Sequence, residues 1–126
     1  MTNEDEPLGG RLAFDLEERM AKFGEVVIAF AKRVRHDRIT DQLVGQLVRA
    51  GTSVGANYCE ADEADTNKEF RYRISIAKRE SKETRFQLRM IVAAEPELAE
   101  PARPIWQESK ELPRIFASIL RRDAGK

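Results

Sequence analysis

Apolar residues recur along most of this chain at steps of three and four, the spacing that stacks side chains on one face of a helix. Leu16, Met20, Phe23, Val27, Phe30 and Val34 form the first series and predict a helix ending near His36. Asp15 and Glu18 stand in capping-box spacing at its start. Leu43, Leu47, Ala50, Val54, Asn57 and Ala61 predict a second helix, with Thr40 as its cap. Phe70, Ile74, Ala77, Ser81, Thr84, Leu88 and Ile91 predict a third and longest one, opened by Thr66 and Glu69. Pro96, Pro101 and Pro104 then interrupt the pattern, because proline lacks the donor that a helix interior needs. A fourth helix is predicted from about Pro104, with Ile105, Leu112, Phe116 and Ile119 turned inward. Pro113 is predicted to kink it, at about 3 kcal/mol unless packing compensates. Short links between four helices give an all-α, antiparallel up-down-up-down four-helix bundle over residues 14–121. Residues 1–13 read as a flexible lead-in and residues 122–126 as a flexible tail.

The middle two helices carry a second apolar series. Val44, Val48, Gly51, Gly55 and Tyr58 lie about 100° from the core stripe of the second helix. Each interior glycine costs about 1 kcal/mol relative to alanine, so two glycines one turn apart point to close approach by another helix. Tyr72, Ile76 and Phe86 lie off the core stripe of the third helix and form an apolar band. These eight residues are the candidate oligomer interface. The alternative is cover within one chain, from the N-terminal segment or the fourth helix.

Composition narrows the class. The chain has 126 residues, 35% charged and 41% hydrophobic, with 7 Gly and 5 Pro, which fits one helix-rich domain. Twenty-two basic residues balance twenty-two acidic ones, so no global charge attracts polyanions. The single cysteine, Cys59, excludes an internal disulfide framework and fits a reducing compartment. No apolar run is long enough to span a bilayer, and the acidic N-terminus lacks a secretory core. A cytoplasmic location without membrane contact is expected.

Charge is uneven locally. Between Lys68 and Arg89 eight bases face three acids. Within that stretch Arg71, Lys78, Lys82, Arg85 and Arg89 fall in one narrow helical strip, the candidate nucleic-acid-binding surface. The alternative is a solvated face whose arginines pair with Glu17, Glu18, Glu108 or Glu111. Gln46, Arg49, Ser53, Asn57 and Glu60 share an edge of the second helix, and Glu80 and Glu83 an edge of the third. Antiparallel pairing would bring Arg49 towards these acids, as a polar network that fixes register or, less simply, as a ligand site.

Catalytic and metal chemistry find little footing. Di-iron bundles need paired Glu-x-x-His motifs, and the one histidine, His36, falls at a helix end. Cys59 has no candidate base near it in sequence. Gly51-x-x-x-Gly55 is mid-helix and lacks the lysine of a phosphate loop. No catalytic residue, metal ligand or cofactor is assigned.

The blocks QLVRAGTSVGAN, YCEADEA, KEF and IAKRESKETRFQL resemble the bacterial four-helix-bundle family of 23S ribosomal RNA intervening-sequence proteins. The similarity runs from about Phe14 to Ile119. In the second-helix motif Gln46, Leu47, Arg49, Ala50, Ser53, Asn57 and Glu60 match; in the third, Ala77, Glu80, Glu83 and Thr84. Gln87 departs from the family pattern, where an aromatic residue is common. The resemblance implies a homopentamer with no enzymatic activity, and some members are encoded within insertions of ribosomal RNA genes. Together, stripe and resemblance lead to the expectation of a non-enzymatic oligomeric scaffold with an RNA or nucleoprotein partner. The alternative expectation is a protein-binding adaptor or structural oligomer without a nucleic-acid role.

Overall fold

A computed structural model describes residues 8–124 of the chain. They form four α-helices, α1 (Leu8–Ala31), α2 (Arg38–Asp62), α3 (Asn67–Ala94) and α4 (Ala99–Ala124), with a 3-10 turn at Pro96–Leu98. No strand occurs among the described residues. The first helix therefore begins well before Asp15, which lies exposed in its interior and caps nothing. Of the expected lead-in, residues 8–13 are helical and 1–7 lie outside the described residues. Of the expected tail, Arg122, Asp123 and Ala124 belong to α4, and residues 125–126 lie outside.

The turn between α1 and α2 is tied by short-range polar contacts. Helix α2 is capped by Asp37, not by Thr40. Asp37 accepts from the amides of Ile39 and Thr40 at 2.9 and 2.8 Å, while the Thr40 hydroxyl accepts from the Asp37 amide. Thr40 is thus the third helical residue of a capping box, a role the sequence spacing assigned to the wrong end. The Thr40 amide, with smaller help from its hydroxyl and the Ile39 amide, holds the Asp37 carboxyl below its ordinary range. For α3 the expected cap is present: Thr66 accepts from the Glu69 amide at 3.1 Å.

Helix α4 starts at Ala99, earlier than its prolines suggested. Pro101 falls in the first turn, where amides have no helical partner anyway. Pro104 deprives only the exposed Glu100 turn of a bond. Pro113 is buried and the helix continues through it to Ala124.

The expected core stripes meet in the interior. Met20, Phe23, Val27, Phe30 and Val34 are buried with Leu47, Ala50, Val54, Ala61, Ile74, Ala77, Leu88, Ile91, Ile105, Leu112 and Phe116. Leu16, Leu43, Phe70 and Ile119 are partly buried against them. Helix α2 packs on α1 and α3, and α4 on α3 and α1, while the backbones of α1 and α3, and of α2 and α4, lie diagonally across the core among the described residues.

The strip on α2 that carries the glycines faces α1 of the same chain. A Cβ on Gly51 would lie 2.9 Å from Val27 Cγ1, and one on Gly55 3.5 Å from Met20 Cβ. On the other side, a Cβ on Gly24 would stand 3.7 Å from Thr52 Cα. Tyr58 is buried in the core, and Val44 and Val48 are half-buried. Close helix approach is real here, but α1 makes it. Of the candidate interface residues on α2, Gly51 and Tyr58 are thus buried within the chain, while Val44, Val48 and Gly55 stay partly exposed.

These glycines separate two effects. Gly45 has nothing within 4 Å of an added Cβ, so Gly45→Ala should stabilise the fold by about 0.5–1 kcal/mol through helix propensity. At Gly51 both Val27 methyls and its Cβ lie within 2.9–3.1 Å, so rotating Val27 gives no relief. Gly51→Ala should destabilise by about 1–2 kcal/mol net. Urea midpoints of the two variants moving in the same direction would contradict this account.

Candidate nucleic-acid interface

The five cations of the strip do not share one environment. The Arg71 guanidinium donates to the Leu120 carbonyl at 2.8 Å and to Asp123 at 3.1 Å, beside the C-terminal end of α4. The Asp123 side chain is only 8% exposed. Arg71 therefore ties α3 to the C-terminal end of α4, where a cation also complements the helix dipole. It is removed from the set of free phosphate contacts. The side chains of Lys78, Lys82, Arg85 and Arg89 make no ion pair or hydrogen bond among the described residues; Lys82 and Arg89 are exposed, Lys78 and Arg85 half-exposed. None of the acids Glu17, Glu18, Glu108 or Glu111 neutralises them. Glu108 instead holds Arg19 through two 2.7 Å bonds, which raise the Arg19 pKa. Glu111 approaches Arg114, and Glu17 accepts from Cys59.

On the opposite edge of α3 the polar residues divide into two short links. Arg49 donates to Glu80 at 2.6 Å and to Gln46 at 3.2 Å, joining α2 to α3. Asn57 accepts from Arg73 at 3.3 Å, and Arg73 is held by Glu69 at 2.9 Å. The expected network thus gains Arg73, which was legible only as one more base. It loses Ser53, which donates to the Arg49 carbonyl of its own helix. Glu83 turns to Gln87 at 2.7 Å, and Glu60 is exposed with no hydrogen bond or ion pair among the described residues. No common point receives these groups; Arg49–Glu80 and Arg73–Asn57 are separate links between α2 and α3.

Glu95 was not singled out by any pattern. It is buried at the end of α3 and accepts from the Arg35 amide at 3.2 Å, which fastens the α1–α2 turn. Cys59 is a poor nucleophile: burial first, then the Glu17 hydrogen bond and nearby acids, push its thiol up. Burial, with Asp62 and Glu17, likewise pushes the Tyr58 hydroxyl up to about 12. Among the described residues no cluster of His, Cys, Asp and Glu is suited to a metal. None of the described helices is long and apolar enough to cross a membrane.

Two large apolar side chains remain uncovered on α3: Tyr72 is 55% and Phe86 54% exposed. Ile76, between them, is half-buried. A separate cleft of about 370 Å³ opens between α3 and α4, lined by Leu88, Arg89, Val92, Ala102, Arg103 and Trp106 among others.

Comparison with known proteins fits this architecture. A family model described as 23S rRNA-intervening sequence protein matches residues 14–118. The crystal structure of a protein of unknown function from the S23 ribosomal protein family of Bacteroides thetaiotaomicron VPI-5482 superposes with a TM-score of 0.73. It is 25% identical to this chain, and the match covers 82% of this chain and 96% of that one. A comparison with curated proteins gives no match.

The two classes of strip cation should differ in stability measurements. Arg71→Ala leaves the buried Asp123 carboxylate without its cation and removes a second donor from the Leu120 carbonyl, and should lower stability by about 1–2 kcal/mol. Lys82→Ala should stay within about 0.5 kcal/mol of the parent. Equal thermal midpoints for the two variants would contradict the structural role of Arg71.

Proposed function

The chain belongs to the 23S rRNA-intervening sequence protein family, and on that premise we propose that it is a non-enzymatic, RNA-associated scaffold. In this reading the helices form an antiparallel up-down-up-down bundle, the bundles assemble as a homopentamer in the cytoplasm, and α3 presents phosphate contacts. The observation that carries it is the row of cations left unpaired on α3: Lys78, Lys82, Arg85 and Arg89. Total charge is balanced, yet no acid among the described residues lies within ion-pair distance of these four side chains. Leaving them free keeps a local positive field for an anion.

Antiparallel order is supported by the contact pairs. Glu17 meets Cys59, while Val27 meets Gly51; Arg49 meets Glu80, while Asn57 meets Arg73. Rising numbers on one helix face falling numbers on the next. Assembly is supported by Tyr72 and Phe86, whose apolar rings α1 and α4 leave uncovered. The protonated state favoured for Cys59 supports a role without covalent catalysis.

Two measurements test the parts separately. RNA affinity should fall with salt with a log-log slope of about −3 for single strands and about −4 for duplex, from four contacts. Lys82→Ala should make that slope shallower by about 0.7–0.9, and Arg71→Ala should leave it unchanged. A slope independent of salt would end the phosphate reading. Light scattering should give a mass of several chains for the parent, and the pair Tyr72→Glu with Phe86→Glu should lower it. A single-chain mass for the parent would reject the homo-oligomer, leaving Tyr72 and Phe86 open to a protein client.

A further inference from the structure

The cleft between α3 and α4 adds something a row of phosphate contacts does not need. Its floor comes from Leu88 and Ala102, both buried, and from the half-buried Val92. Ala99 and Ala102 face the larger α3 side chains with only a methyl each, which leaves the space open. One wall is Trp106, packed partly against the core and half-exposed towards the cleft. Arg89, Arg103 and Gln107 stand around it. The volume of about 370 Å³ falls within the ~300–1,000 Å³ typical of small-ligand sites.

The chemistry of this lining is selective. Trp106 offers a large aromatic surface, and its indole N–H has no hydrogen-bond partner among the described residues. Among the described residues Arg103 is held only by Glu100, one turn away and exposed, a pairing that a ligand displaces at little cost. The Arg89 side chain is unpaired among the described residues, and Arg85, Lys82 and Lys78 follow it along the same strip of α3. From Lys78 to Arg89 the strip extends about 16 Å along the helix at ~1.5 Å per residue. An aromatic wall with amide and guanidinium donors fits a flat, polar ring. A line of cations leading away from it fits a chain of anions attached to that ring.

We propose that the α3–α4 cleft is a base-stacking subsite for single-stranded nucleic acid, in which Trp106 stacks one unpaired base and Arg89, Arg85, Lys82 and Lys78 take the phosphates that follow. The proposal rests on the phosphate-binding reading above and adds the form of nucleic acid recognised. A duplex keeps its bases stacked inside, and freeing one costs a few kcal/mol. A single strand has bases available for aromatic stacking without that penalty.

Trp106 is the only tryptophan in the chain, so its emission reports the cleft directly. The full-length protein is titrated at low salt with a short single-stranded RNA and with the blunt duplex of the same sequence, and binding is followed in parallel by anisotropy of the labelled RNA. Saturable quenching by the single strand and none by the duplex is the expected result. Trp106→Leu should weaken single-strand binding roughly 5- to 150-fold with duplex binding unchanged, and Trp106→Phe should retain most of it. Because the emission change is read on the parent protein, an unstable variant does not blunt the test. Single-strand binding without any emission change overturns the base subsite while the phosphate strip stands. Absence of binding to either RNA overturns both. Equal quenching by an acidic polypeptide assigns the cleft to peptide and overturns the proposal as well.

Discussion

The structure depends on the narrow, small-residue face of α3. Ala77, Ser81 and Thr84 occupy its middle, with Ile74, Leu88 and Ile91 towards the ends, and all six are fully buried. Small side chains let α2 and α4 both pack close to the same helix. The two hydroxyls require nothing from their neighbours, since Ser81 donates to the Lys78 carbonyl and Thr84 to the Glu80 carbonyl. Burial then carries no unsatisfied donor, which would otherwise cost about 1–3 kcal/mol each. With the centre of α3 committed to packing, polar chemistry is confined to its two edges.

Those edges are treated differently. Towards α2 the charges are matched: Arg49 with Glu80, and Arg73 with Glu69 and Asn57. Such partly exposed links contribute little net stability, but they penalise a slip of one helix past the other. Towards α4, Arg71 alone of the strip is matched among the described residues, by Asp123 and the Leu120 carbonyl. Beyond that point the four remaining cations have no ion pair among the described residues, and the last of them, Arg89, lines the cleft with Trp106. A strip that looked uniform in sequence therefore has a structural end and a free end.

Much of the scaffold was legible because helical periodicity reports burial directly. Every core position read on the first helix from Met20 to Val34 is buried, as are Leu47, Val54, Ile74, Leu88, Leu112 and Phe116. Boundaries were less legible. Thr40 and Asp37 are both competent caps, and the choice depends on the path of the chain before Arg38. Prolines near Ala99 looked like an interruption, but a first turn has no bond for proline to break.

The sequence by itself determined that four helices form, which faces they bury, and that α2 must be approached closely at Gly51 and Gly55. These follow from spacing and side-chain size, which are properties of a single helix. Only the tertiary structure decided that α1 fills that approach, that Arg71 is spent on α4, and that Trp106 borders an open cleft beside the free cations. Each of these depends on which helix lies opposite, and a stripe on one helix carries no information about the identity of its neighbour.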